Sequence, residues 1–202
     1  MNPARLGRVL RVLSVPLTVI SVLASAGPAS AEPHRHDGFY LRVGAGGGYA
    51  LGTLATGSAG DSSSHGANIA SELAAGVSLR PGLVVGLGTF PMVVARPSYD
   101  AVDAGGQHVS GTGPFVDLYL DPAGGLHLQA GLLFAAGYID GGQRDSQVGF
   151  GYGGMAGAGY DLFVAPEWSL GLLARVTAYR LYGVDDKIRL VSPSLLVTAT
   201  FN

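Results

Sequence analysis

The sequence contains no cysteine. That absence excludes a disulfide scaffold, a thiolate zinc site, a cysteine nucleophile and a lipid anchor carried on cysteine. Charge is nearly as scarce: 13% of the 202 residues are Asp, Glu, Lys or Arg, about half the roughly 25% usual in a soluble domain. A chain so poor in charge does not have the composition of an intrinsically disordered one. Beyond the N-terminal region no run reaches 18 consecutive apolar residues, so no spanning helix is readable there. What is abundant is glycine, 33 residues, alongside 48% hydrophobic residues. The glycines follow no three-residue period, which excludes collagen.

The first 31 residues read as a secretory signal peptide. Arg5, Arg8 and Arg11 give a basic start, residues 12–24 are an apolar stretch, and Ala29-Ser30-Ala31 supplies a small-x-small cleavage pattern. A membrane anchor would need a longer run, about 20 residues. Removing the three arginines leaves nine basic residues against fourteen acidic ones, a formal charge of −5. Nucleic-acid binding is not expected of a mildly acidic exported chain. Residues 32–37 are then a short tail, and 38–202 the folded body.

That body alternates with period two, segment after segment, as half-buried strands do. Ile69, Leu73, Ala75, Val77 and Leu79 share one face, with Asn68, Glu72 and Ser78 on the other. Leu126, Leu128, Leu132 and Phe134 oppose His127 and Gln129, while Trp168, Leu170, Leu172 and Val176 oppose Ser169, Arg175 and Thr177. Five further segments, beginning near Phe39, Leu83, Phe115, Phe150 and Ser194, follow suit. Pro91 leaves the register of the third unsettled beyond Thr89. Eight strands result. Three connections are tight turns, at Arg80-Pro81-Gly82, 121–125 and 165–167. The other four, around 51–66, 96–107, 140–147 and 183–191, are longer and more polar. This is an antiparallel up-and-down meander closed into a barrel.

The polarity of the two faces decides its surroundings. The less apolar face is mostly Gly, Ser, Thr and Ala with about one charge per strand, too little to solvate a protein of this size. Turned inward, small residues suit the narrow lumen of eight strands, and the Leu, Val and Phe face meets lipid. Aromatics gather at both strand ends, Phe39, Tyr160, Trp168 and Phe201 near the short turns and Tyr138, Phe150 and Tyr152 toward the loops, as in interfacial girdles.

In this architecture the chain resembles the eight-stranded outer-membrane β-barrel proteins of Gram-negative bacteria, the group of the OmpA membrane domain and OmpX. The most specific part is the last strand, whose alternation ends in an aromatic, Phe201. Here Asn202 follows it, where the family usually ends on the aromatic itself. The resemblance implies an integral protein of the cell outer membrane. Its implied partners are outer-membrane lipids, lipopolysaccharide and, during biogenesis, the outer-membrane assembly machinery, with no cofactor and no metal. A monomer is expected.

By parity Arg42, Glu72, Asp117, Asp161 and Arg175 point into the lumen. Counted from the short turns they form two layers, Glu72 with Arg175 and Arg42 with Asp117 and Asp161. They are read as an ion-pair network that satisfies buried charge; a gate across a narrow ion path is the functional alternative. Tyr119, Met155 and Tyr179 are bulky inward candidates that would fill space left by glycine.

Other motifs carry less. Gly149, Gly151 and Gly154 match G-x-G-x-x-G but sit inside a strand, where no helix opens to hold a phosphate. Pro33 lacks the amide hydrogen that an N-terminal copper site at His34 requires removed, and His34 and His36 are assigned to a tail. Asp61, Ser62, Ser63, Ser64 and His65 are hydrolase residue types on a loop without a rigid support. Asp140, Asp145, Asp185 and Asp186 lack the dense spacing of a calcium loop. The reading is a non-enzymatic surface protein with four outward loops. A small-solute channel, a lipid-modifying barrel enzyme and a soluble periplasmic ligand-binding barrel are the alternatives.

Overall fold

A computed structural model describes residues 35–56, 60–95, 97–99, 106–139, 148–183 and 186–202. The segment assigned to the signal peptide therefore lies outside the described residues, as do His34, Asp140, Asp145 and Asp185. The strands are β1 (Phe39–Thr56), β2 (Gly60–Arg80), β3 (Leu83–Val94), β4 (Ser98–Tyr99), β5 (Gln107–Tyr119), β6 (Leu126–Ile139), β7 (Val148–Phe163), β8 (Trp168–Tyr182) and β9 (Asp186–Phe201). All pairings are antiparallel. The pairing of β1 with β9 as well as with β2 closes eight of these strands into a barrel, leaving the two-residue β4 as a short addition against Ser64 and His65 of β2.

Two of the four long connections are shorter than their polarity implies. β1 runs to Thr56 and β2 starts at Gly60, while β8 ends at Tyr182 and β9 starts at Asp186. The Ser, Thr and Gly residues of these hairpins continue the ladder, Thr53 opposite Ser63 and Ala55 opposite Asp61. Composition cannot distinguish a polar hairpin from a loop, because both faces of a strand above a membrane meet water. The wall is consequently taller along β9, β1 and β2 than along β3, β5 and β6.

The exterior is apolar. Leu195, Val197, Leu132, Phe134, Ile69 and Leu162 are each more than half exposed, which in water would be an aggregation-prone patch running around the whole barrel. On β9 the outward row from Phe201 to Val191 contains no charge. Ten residues of tilted strand at about 3.3 Å each span about 25 Å, the height of a lipid-facing band. At the short-turn end Trp168 packs edge-on against Phe201 at 5.4 Å, and Phe39 lies 6.4 Å from it. Near the loop end, Phe134 stacks with Phe150 and Tyr152 lies beside Tyr182.

The lumen is not lined by small residues throughout. β3 keeps strict alternation through Pro91, which faces outward opposite Ser110, so Val84, Phe90, Met92 and Val94 all point inward. Phe90, Met92 and Val94, with Val109, Leu133, Leu181 and Leu190, fill the loop half of the barrel as an apolar core, while Val84 lies near the short turns opposite Asp117. Glycines open the space this needs: a Cβ on Gly111 would stand 2.8 Å from the Tyr179 ring and 2.9 Å from Leu133.

Candidate functional site

The polar half of the lumen lies toward the short turns, and Arg42 of β1 is its centre. Its Nη1 donates to Asp117 Oδ2 at 2.7 Å, and Nη2 donates to Asp161 Oδ2 at 2.7 Å and to the Tyr119 hydroxyl at 2.6 Å. Nε donates to Thr200 Oγ1 at 2.8 Å. A guanidinium is suited to this place because its planar fork offers five donors, enough for partners on three sides. Tyr40 donates its hydroxyl to Asp117 Oδ2 at 3.0 Å and Tyr119 donates to Asp161 Oδ2 at 2.8 Å. Each carboxylate thus receives several donors, which is what makes a buried charge tolerable.

The second pair is Glu72 of β2 and Arg175 of β8, joined by a hydrogen bond from Arg175 Nη1 to Glu72 Oε2. Arg175 also donates to the Ser71 carbonyl at 3.3 Å and lies over the Phe90 ring at 5.3 Å. Glu72 Oε1 stands 3.9 Å from Arg42 Nε, so the two layers are one cluster. All five residues read from parity as inward, Arg42, Glu72, Asp117, Asp161 and Arg175, are therefore brought together.

Parity turns further participants inward without marking them as part of the cluster. His127 of β6 is fully buried, its Nδ1 2.7 Å from Asp117 Oδ1 and its Nε2 3.7 Å from Asp161 Oδ1. Inward alternation was its only sequence signal, and a lone histidine opposite Leu residues gives no hint of two carboxylates. His36, assigned to the tail, instead closes the short-turn end. It is buried, its ring stacks on Tyr119 at 3.4 Å, and Phe163 lies 4.7 Å away. Its backbone is fixed by an N–H bond to the Pro122 carbonyl and by accepting from Gly82 N–H, both 2.9 Å. Burial lowers the His36 pKa below its ordinary 6.5, against the raising influence of Asn202 and Asp161. Asn202 is buried beside it, its N–H bonded to the Glu167 carbonyl.

Higher in the lumen, Asn68 donates to the Ser192 hydroxyl, and Tyr179 donates to the Phe90 carbonyl at 2.9 Å. Arg42, Asp117 and His127 are all 0% exposed. A water-wide path at their level would leave them exposed surface, so the network forms a seal.

The hydrolase-type residues do not converge. Ser62 and Ser64 face inward and are buried, whereas Ser63 and His65 face outward, because alternate residues of β2 lie on opposite sides of the wall. Gly149, Gly151 and Gly154 lie within β7 and precede no helix.

No protein-family model matches the chain, and no curated protein matches it in sequence. Solved structures do. The Neisserial surface protein A matches with a TM-score of 0.50 at 19% identity, over 79% of this chain and 95% of that one. Ail, the attachment invasion locus protein of Yersinia pestis, matches with a TM-score of 0.45 at 11% identity, over 80% and 99%. At 19% identity the first likeness concerns the fold. That fold is the eight-stranded antiparallel barrel of outer-membrane proteins, as the sequence resemblance implied.

Proposed function

We propose that the protein is an integral outer-membrane barrel that acts as a sealed, non-enzymatic anchor, presenting its loop end at the cell surface for interaction rather than conducting solute. The observation that carries this reading is the packed Arg42–Asp117–Asp161–His127 layer, every member at most 2% exposed, closed from below by His36. Salt-bridged charge in a low-dielectric lumen favours closure, since separating these pairs leaves each charge desolvated. The uncharged outer belt supports placement in lipid, and the outer membrane is where closed barrels with long loops on one side reside. Outer-membrane lipids, lipopolysaccharide and the assembly machinery are the partners this placement brings.

Planar-bilayer recording tests the reading. Refolded protein is expected to give no steady conductance above baseline. Reproducible ohmic steps would instead favour the channel alternative.

A further inference from the structure

The outward face carries a feature that the sealed lumen leaves unused. At the loop-side edge of the apolar band, β8 and β9 place Arg180 directly opposite Arg189, with Lys187 one outward position further on opposite Tyr182. All three cations are exposed. Like charges directly opposite across a ladder repel, and from the flanking strands Tyr152 of β7 faces Arg180, Thr53 of β1 faces Arg189 and Ala55 faces Lys187. Arg180 donates to the Tyr152 hydroxyl at 3.4 Å, and that hydroxyl lies 3.5 Å from the Tyr182 hydroxyl. The result is a ring of donors around a patch with no carboxylate among the described side chains.

Directly below it on the same face is a shallow, largely open groove of about 740 Å³. Its floor is Gly154, Ala178, Ala156 and Ala130, flanked by Leu132 and Val176. Gly154 stands opposite Ala178, and two residues up the same strands Tyr152 stands opposite Arg180, so groove and patch are continuous. An apolar trough ending in a cluster of phosphate-binding side chains matches one chemistry: an acyl chain joined to a phosphate-bearing headgroup.

We propose that Arg180, Arg189 and Lys187, with Tyr152 and Tyr182, bind the phosphate of a membrane lipid in the loop-side leaflet, while the Gly154–Ala156–Ala178 groove holds one of its acyl chains. The proposal rests on the membrane placement given above and adds a defined lipid site to it. Guanidinium groups suit phosphate because they engage it through paired donors, and a surrounding of low dielectric strengthens the contact. Two cross-strand arginines then become an asset where without the anion they are a cost.

Gly154 supplies a clean test of the groove. A Cβ there would meet only the Gly131 carbonyl, at 3.4 Å, so Gly154→Leu fills the trough without displacing backbone. Gly47 is its matched control, an outward glycine of β1 whose Cβ would meet only the Asn68 carbonyl at 3.7 Å. Protein refolded into phosphatidylcholine nanodiscs is titrated with diphosphoryl lipid A, with the same lipid A stripped of phosphate, and with inorganic phosphate, and retained lipid is counted by native mass spectrometry. The wild type should retain the phosphorylated lipid in preference to the stripped one. The double variant Arg180→Gln/Arg189→Gln should weaken retention about ten-fold, and Arg180→Lys/Arg189→Lys, which keeps the charge, should weaken it less. Gly154→Leu should weaken it about three-fold, with Gly47→Leu unchanged.

Equal retention of the stripped lipid would overturn the proposal, as would wild-type behaviour of the glutamine variant. Inorganic phosphate displacing the lipid would assign the site to a free anion instead, and equal effects of the two glycine substitutions would remove the groove. Heat-modifiable gel mobility reports folding of every variant. A heat-modifiable, non-conducting protein that retains no lipid A refutes this site and leaves the sealed-anchor reading standing.

Discussion

At the scale of single residues, Arg42 concentrates the energetics of the lumen. Replacing it with Ala leaves Asp117 and Asp161 buried without their shared cation, a change that costs about 3–5 kcal/mol when one member of a buried pair is removed. Urea unfolding of Arg42→Ala in detergent, followed by gel mobility, should show that loss; an unchanged midpoint would mean the carboxylates find other partners. His36 carries a pH signature. Its pKa is lowered by burial, so the folded state disfavours the imidazolium and the stabilising contribution of His36 is present above pH 6.5 and lost as the pH falls through that value. Compared with His36→Phe, which keeps the stack on Tyr119 but cannot titrate, the wild type should lose stability as the pH falls below 6.5, at no more than about 1.4 kcal/mol per pH unit. Thermal midpoints across that range decide it. The inward direction of Arg42, Asp117 and Asp161 was legible from parity; the burial of His36 was not, because nothing local says that a tail folds back into a barrel end.

At the scale of strands, glycine and side-chain bulk are matched across the lumen. Gly111 of β5 makes room for Tyr179 of β8, whose hydroxyl reaches the Phe90 carbonyl on β3. Gly111→Val should displace Tyr179 and destabilise the barrel by about 1–3 kcal/mol, the usual cost of overpacking, whereas outward Gly154→Leu should leave the unfolding midpoint near that of the wild type. Chemical denaturation of the two variants side by side tests this. The β2–β3 turn depends on Gly82, whose φ of 79° lies in the left-handed region and whose carbonyl accepts from Tyr119 N–H at 2.7 Å. Turn chemistry at 80–82 was readable as such. The lengths of the β1–β2 and β8–β9 hairpins were not, since hydrophobic alternation fades where both faces of a strand meet water, although backbone pairing continues.

At the scale of the whole molecule, the absence of cysteine becomes a tool. Single cysteines placed at Leu132, Leu172 and Val197, all outward and exposed, give unambiguous labelling sites. A fluorophore at each should be quenched by lipid-phase quenchers and shielded from aqueous ones, while one at Ser63, outward but beyond the apolar band, should show the reverse. Aqueous quenching at all four positions would contradict a membrane barrel. The sequence by itself determined the strand count of the wall, the face on which most residues lie and the polarity of each face. It did so because alternation is a property of extended backbone and needs no partner. Only tertiary structure decided which inward residues meet, that His127 lies between two carboxylates, and that Phe90, Met92 and Val94 fill the loop half of the lumen. Those contacts depend on the stagger between strands and on closure of β1 against β9, and shifting one strand by two residues preserves every face while exchanging every partner.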